Sequence, residues 1–482
     1  MAGAALPACA NAPSRSPMPP LRPERTATGA LVSPATALIE RAGLTGQVGY
    51  AVADARTGRL LEAHEPDVGR PPASVVKALT ALHARAALGA GHRFVTRLVA
   101  TGPVSGGTVS GDLVLLGGGD PTLSTDGLAV LADALRARGI TGVSGRFLVN
   151  GSALPAVARI DPDQPDHVGY NPAVSGLNLN YNRVHFRWRR AGAGHEVVMD
   201  APGDRNNARV SIATMTVQGR QTPVYTYADA GGTERWTVAA SALGREGSRW
   251  LPTRHPELYA GDVFRSLARA RGITLPAAQR AGGAAPGTVL AEHASAPLDR
   301  LLTDMLRWST NLTAEAVGMA ATLALGGRPA NLAQSAGLMS AALAQRHGVA
   351  GLRLVDHSGL GPAARMSPAQ MVQLLCAPGV SGAMRGLLRD HPMRDGQGNV
   401  IRNHALDVAA KTGTLNFVSG LAGYVTAPSG NDLAFAIFSA DLTARNRLTG
   451  DQRERPPGGQ DWTRRARTLQ QALIERWGAV HA

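Results

Sequence analysis

Lysine occupies only two of the 482 positions, Lys77 and Lys411, although the chain carries 49 basic residues. Arginine replaces lysine readily as a surface cation. A bias this strong therefore leaves lysine where a guanidinium fails, at a site that needs an amine able to lose its proton. The two lysines lie near opposite ends of the chain, and so do two strand pairs. Residues 46 to 66, GQVGYAVADARTGRLLEAHEP, alternate apolar and polar around the turn-forming Ala55-Arg56-Thr57-Gly58 and predict a β-hairpin. Residues 419 to 441 predict a second hairpin, joined by a Pro/Ser/Gly/Asn turn. Each hairpin lies beside a helix. One spans residues 73 to 90 after Pro71-Pro72; the other is the final stretch, in which Leu469, Leu473 and Trp477 share one face. This pattern implies one domain assembled from both ends of the chain.

The middle of the chain has a different character. From Val109 to Leu154 the order is strand, glycine turn, helix, strand, an α/β pattern of its own and hence an inserted domain. Residues 161 to 245 are rich in Val, Thr, Arg and Gly in short alternations and predict a smaller β-rich unit nested within the insert. No tandem repeat is evident. The expected organisation is a tail at 1–29, a domain from 30–94 plus 286–482, an insert from 95–160 plus 246–285, and the nested unit at 161–245.

Composition narrows the possible partners. The chain is 44% hydrophobic and 17% charged, the balance of a soluble globular protein, and no apolar run approaches the roughly 20 residues needed to span a bilayer. A formal charge of +14 invites a nucleic-acid reading, but the arginines are scattered, no run of five basic residues occurs, and aromatics are only 4%. No nucleic-acid partner is expected, and an anionic wall polymer suits the charge equally well. Cys9 and Cys376 are the only cysteines, which excludes a disulfide framework. No Cys/His cluster or H-E-x-x-H has metal spacing, Gly117-Gly118-Gly119-Asp120 lacks the lysine of a phosphate loop, and DPDQPD at 161–166 has two prolines and no closing Glu. Neither a metal nor a cofactor is expected. The start, MAGAALPACANAP, offers Ala8-Cys9-Ala10 as a signal-peptidase pattern and reads as a truncated secretory signal; a disordered tail is the other reading.

Ser74-Val75-Val76-Lys77 puts a hydroxyl and an amine three residues apart on one helical face, just after a helix start where developing negative charge is favoured. A deprotonated lysine in that place is a base for a serine nucleophile. Lys411-Thr412-Gly413-Thr414 ends the apolar strand LDVAA. Its hydroxyls and cation make a carboxylate-binding strand edge, and Gly413 admits a substrate backbone. The N–H of Thr414 can pair with that of Ser74 as an oxyanion hole. The chance of the only two lysines falling in both patterns is about one in a thousand. Ser309-Thr310-Asn311 supplies a third element: Ser309 to relay a proton between Lys77 and a leaving amine, and the Asn311 amide to hold a substrate peptide group.

S-x-x-K, S-x-N and K-T-G in this order resemble the active-site serine penicillin-recognising enzymes. The interval from Ser74 to Ser309, 235 residues (309 − 74), far exceeds that of a compact β-lactamase and is similar to that of the class C low-molecular-mass penicillin-binding proteins, the D-alanyl-D-alanine carboxypeptidase/endopeptidases. GDLVLLGGGDPTLS, NPAVSGLNLNYNRV, DHSGLGPAARMSP and KTGTLNFVSGLAGYV look like the same family, so the resemblance runs from about residue 30 to the end. It implies an α/β (α+β) fold: a β-lactamase/transpeptidase-like domain of antiparallel sheet flanked by helices, with the inserts above. It also implies peptidoglycan stem peptides ending in D-Ala-D-Ala, or their cross-links, as substrates, β-lactams as covalent inhibitors, and export to the periplasm. In this reading Ser74 attacks, Lys77 takes its proton, Ser309 serves the leaving group, and Lys411, Thr412 and Thr414 hold the terminal carboxylate. From the insert, Asp166 and Tyr170 are the candidates for a pocket binding the amino end of diaminopimelate. Two departures stand out: the incomplete N-terminal signal, and His357 and Pro362 where smaller or basic residues are expected. A β-lactamase or esterase on the same core, and a catalytically idle wall-binding protein, are the rival readings; the oligomeric state is left open.

Overall fold

The structure, a computed structural model, describes residues 24–25, 31–395, 397–454 and 456–481. Ala8, Cys9 and Ala10 lie outside the described residues. Among those residues no helix is long and apolar enough to cross a membrane.

Both ends of the chain build one six-stranded antiparallel sheet, in the order Arg389–Asp390, Asp407–Leu415, Val418–Thr426, Asp432–Ala440, Gln47–Asp54, Leu60–His64. The two predicted hairpins are thus zipped edge to edge, Asp432–Ala440 against Gln47–Asp54. Side chains on a strand alternate between faces, and here both faces are apolar. Leu433, Phe435 and Ile437 meet Leu469, Leu473 and Trp477 of the terminal helix Gly459–Val480. Ala434, Ala436, Ala51, Ala53 and Ala422 face the other way, toward Val76, Leu79 and the other buried residues of the helix Val76–Leu88. Alanine on that face lets the helix Pro368–Leu375 lie close to Asp432–Ala440 and Gln47–Asp54, with the helix carrying Lys77 packed in the same core. Each large side chain buried on the opposite face contributes roughly 1.5–3 kcal/mol.

The insert has a five-stranded sheet, in the order Ala278–Ala281, Phe147–Asn150, Leu113–Leu116, Val95–Ala100, Thr288–Ala294. The strand–helix–strand run around the helix Thr125–Ala137 forms a parallel pair, as its pattern predicts. Two expected boundaries shift. Thr288–Ala294, assigned by sequence to the two-ended domain, pairs antiparallel with Val95–Ala100 and completes the insert's sheet. Glu246–Pro252 pairs with Arg183–Ala191 and so joins the β-rich unit rather than the α/β insert. Both are edge-strand pairings over long sequence distances, which local patterning cannot register. One apolar cluster, including Leu128, Phe186, Met199, Trp236, Val263 and Phe264, runs through both parts of the insert.

Residues 151 to 182 contain no strand or α-helix and cross from the insert to the helix Asn311–Ala324. Leu154, Ile160 and Val174 pack there with Leu312, Ala316 and Met319. Buried asparagines satisfy the loop's backbone: Asn171 exchanges two hydrogen bonds with the main chain of Asp161, and Asn182 Nδ2 donates to the Ala173 carbonyl. The asparagine-rich NPAVSGLNLNYNRV therefore fixes the loop that delivers the insert to the catalytic face.

Candidate active site

Ser74 sits in a 3-10 turn, Ala73–Val75, that runs directly into the helix Val76–Leu88. Ala73 is held at φ 48°, a left-handed conformation that is costly for a residue with a Cβ. Glycines clamp the turn. A Cβ on Gly359 would stand 1.9 Å from the Ala73 carbonyl oxygen, and one on Gly413 2.6 Å from that of Pro72. The space above Gly413, expected to admit a substrate backbone, is thus filled by the serine turn itself. The turn's strain fixes Ser74 against the lysine strand.

Lys77 is fully buried, and its Nζ lies 2.9 Å from Ser74 Oγ, 2.7 Å from Asn311 Oδ1 and 2.7 Å from the Ser358 carbonyl oxygen. The last two are acceptors only. A neutral amine has two N–H bonds and one lone pair, so when both acceptors are served the lone pair remains for the Ser74 hydroxyl proton. This is the geometry of a general base. Burial draws the Lys77 pKa down to about 8, against the opposing pull of Glu315 and Asp356. Those two carboxyls are themselves buried, and burial pushes both upward. The main-chain N–H of His357 donates to Glu315, while Gly359 and Gly361 donate to Asp356.

Lys411 emerges from the strand Asp407–Leu415 with Nζ 3.0 Å from Ser309 Oγ and donating to the Thr412 carbonyl at 2.6 Å. Burial holds its pKa well below the ordinary value, and the neighbouring Lys77 and Arg389 charges add to this. Ser309 caps the helix Leu298–Trp308 at φ 57°, two residues before the helix Asn311–Ala324 begins. Its amine partner is Lys411 and not, as the sequence reading had it, Lys77, whose third contact is the Ser358 carbonyl. Asn311 accepts from Lys77 and donates through Nδ2 to the Tyr170 carbonyl at 2.8 Å. That donor, expected to hold a substrate peptide group, is occupied by the insert's own backbone.

Ser74, Ser309, Asn311 and Thr414 open onto one cavity of about 620 Å³, whose far wall includes Asp161, Asp163 and Tyr170 of the insert. Thr412 is half-buried and stands off the cavity wall. Past Ala410 the short strand Arg389–Asp390 no longer covers the outer edge of the lysine strand, so residues 411–415 present a sheet edge. Of the two insert candidates, Tyr170 lines the cavity and Asp166 does not: its carboxylate pairs with Arg159 and its carbonyl accepts from Arg254 Nη2 at 2.9 Å. Asp161 and Asp163 stand there instead. His357 faces away from the cavity, buried over Gly318 with Nε2 2.8 Å from Ser335 Oγ, and burial draws its pKa to about 3 so that it is neutral; Pro362 lines the cavity. Among the described residues no group of three His, Cys, Asp or Glu is placed to hold a metal ion.

Sequence reasoning missed Glu315, Asp356 and Ser358. Glu315 follows Asn311 by four residues on one helix, a spacing that shares a face just as the three-residue spacing of Ser74 and Lys77 does.

The sequence profile of the D-Ala-D-Ala carboxypeptidase 3 (S13) family matches residues 35–455. The D-alanyl-D-alanine carboxypeptidase of Actinomadura sp. (strain R39) is 28% identical over 430 residues, covering 84% of this chain and 79% of that protein. Carboxypeptidase Rv3627c of Mycobacterium tuberculosis is 28% identical over 473 residues, covering 91% and 88%. Among solved structures, penicillin binding protein 4 (dacB) of Haemophilus influenzae superposes with a TM-score of 0.74 at 20% identity, over 92% of this chain and 100% of that one.

Proposed function

The chain belongs to the D-Ala-D-Ala carboxypeptidase 3 (S13) family, and on that premise we propose how its site works as a serine DD-peptidase on peptidoglycan stem peptides. Ser74 Oγ attacks the carbonyl of the penultimate D-Ala while its proton passes to neutral Lys77. The N–H groups of Ser74 and Thr414 receive the developing oxyanion. The C–N bond then breaks. Ser309, held by Lys411, delivers a proton to the departing amine, and Lys411 with Thr414 attracts the terminal carboxylate, Thr412 serving through the main-chain carbonyl that holds Lys411. Water enters against the same base, cleaves the Ser74 ester and restores the hydroxyl. A cross-link whose amine leaves in place of D-Ala follows the same path. The place of work is the periplasm or cell surface, where peptidoglycan lies. Asp161 and Asp163 take the role first given to Asp166 beside Tyr170. The observation that supports it most is the arrangement of three partners around Lys77 Nζ.

β-Lactams are acylating inhibitors in this reading. After brief incubation with benzylpenicillin, intact-protein mass spectrometry with peptide mapping is expected to show one adduct on Ser74 that persists for minutes. An adduct that vanishes as the drug is consumed would make the protein a β-lactamase; none at all from folded protein would leave a wall-binding module.

Attack needs Lys77 without its proton, so acylation is expected to rise with pH through about 8. Glu315→Gln removes an anion that favours the ammonium and moves that ascending limb to lower pH. A rate that falls between pH 7 and 9 would place the base elsewhere.

A further inference from the structure

A second cavity, of about 820 Å³, continues from the first on the far side of the lysine strand; the two share Thr414, Leu415, Asn416 and Glu454 in their walls. Arg394 and Arg467 in its wall, and Arg389 outside it, form no ion pair with a carboxylate among the described residues, whereas Arg464 in the same wall is paired with Asp461. Arg467, on the helix Gly459–Val480, points Nη2 to within 3.5 Å of Thr414 Oγ1. Arg394 stands across from it on the loop before the lysine strand, where its Nη1 donates only to the Gly398 carbonyl, and Gln471 of the helix reaches back to its own carbonyl. The charges of Arg389, Arg394 and Arg467 all bear on the buried His391. Its imidazole is drawn to about 4, first by burial and then by those three charges. Three acids share the wall: Asp395 accepts from its own turn, Glu454 pairs with His167 and Arg249, and Glu475 stands two helical turns along from Arg467 with no ion pair to it.

We propose that Arg394 and Arg467, with Arg389 behind them, form a leaving-side subsite for the acidic second stem peptide of a cross-linked substrate. This rests on the DD-peptidase reading. A departing D-Ala ends at its carboxylate beside Thr414 and has nothing to place beyond it. The amine released from a cross-link belongs to a whole stem peptide bearing several carboxylates, and the cavity leads from Thr414 toward Arg394 and Arg467, whose guanidiniums are free to pair with them. The subsite thus favours endopeptidase cleavage of cross-links over trimming of monomers.

The test compares kcat/KM for a purified cross-linked muropeptide dimer and for a monomeric stem peptide ending in D-Ala-D-Ala, in the full chain and in Arg394→Glu. The dimer value is expected to fall about tenfold or more, as for loss of a hydrogen bond to a charged group. The monomer value should stay within about twofold, and Arg394→Lys should recover part of the dimer activity. Added salt should lower the wild-type dimer-to-monomer ratio. Benzylpenicillin acylation of each variant reports an intact site. Equal losses on both substrates, or an unchanged dimer rate, overturn the subsite while monomer turnover upholds the peptidase. A wild type that cleaves neither substrate and takes no penicillin overturns both.

Discussion

Lys77→Arg is expected to slow acylation by benzylpenicillin about a thousandfold, in the middle of the range that general-base catalysis supplies, although it preserves the formal charge. A guanidinium can still donate to Asn311 Oδ1 and the Ser358 carbonyl, the two acceptors that hold Lys77. It has no lone pair to offer Ser74 at any accessible pH. The measurement is the acylation rate from a mass-spectrometric time course, beside a thermal melt to show that the larger side chain is accommodated. Retention of more than about a tenth of the wild-type rate in a folded variant would remove Lys77 from the role of base. The ascending pH limb near 8 should also disappear, since the group that titrates there is gone.

Ser74→Ala is expected to leave no penicillin adduct and to lower peptide turnover by at least about ten-thousandfold, because among the described residues no other hydroxyl is placed against Lys77 Nζ. The carboxylate-binding strand edge and the cavity are untouched, so a stem peptide should bind with a dissociation constant within a few fold of its wild-type KM-limited value. Equilibrium binding by calorimetry checks this. Turnover that survives the substitution would transfer the chemistry to another group, and Ser309, 3.0 Å from an amine of its own, is the next nucleophile to exchange.

The residues legible from sequence are those whose function fits within one turn of helix or one stretch of strand. Ser74 with Lys77 is a local relation, and so is Lys411 with its threonines. The structure opens Ser74 and Thr414, together with Ser309 and Asn311, onto one cavity, with the two lysines buried beneath. The two hairpins and the terminal helix were legible for the same reason: a period of two or of 3.6 is written in consecutive residues. What escaped depends on distant pairing. Whether Asp161 or Asp166 faces the cavity is decided by Arg159 and Arg254, which draw Asp166 away, and nothing near 166 in sequence announces that. Gly413 illustrates the same limit from within a motif. Its need to lack a Cβ was legible, but the neighbour that imposes it, the Pro72 carbonyl, comes from the other end of the chain. Buried carboxyls such as Glu315 read as ordinary helix surface until the lysine beneath them is seen.

The pairing of Gln47–Asp54 with Asp432–Ala440 at the centre of the sheet also dictates an order of events during synthesis. The insert has all five strands of its own sheet once residue 294 has been made, and it can collapse while the rest is still being produced. The six-stranded sheet cannot: its first hairpin must remain without its neighbours until strands almost four hundred residues later arrive, and such non-local closure is slow. Strand edges left waiting that long are prone to aggregate, and this half of the molecule bears that exposure longest. A chain cut short before residue 432 would hold its nucleophile and base on a sheet missing its middle.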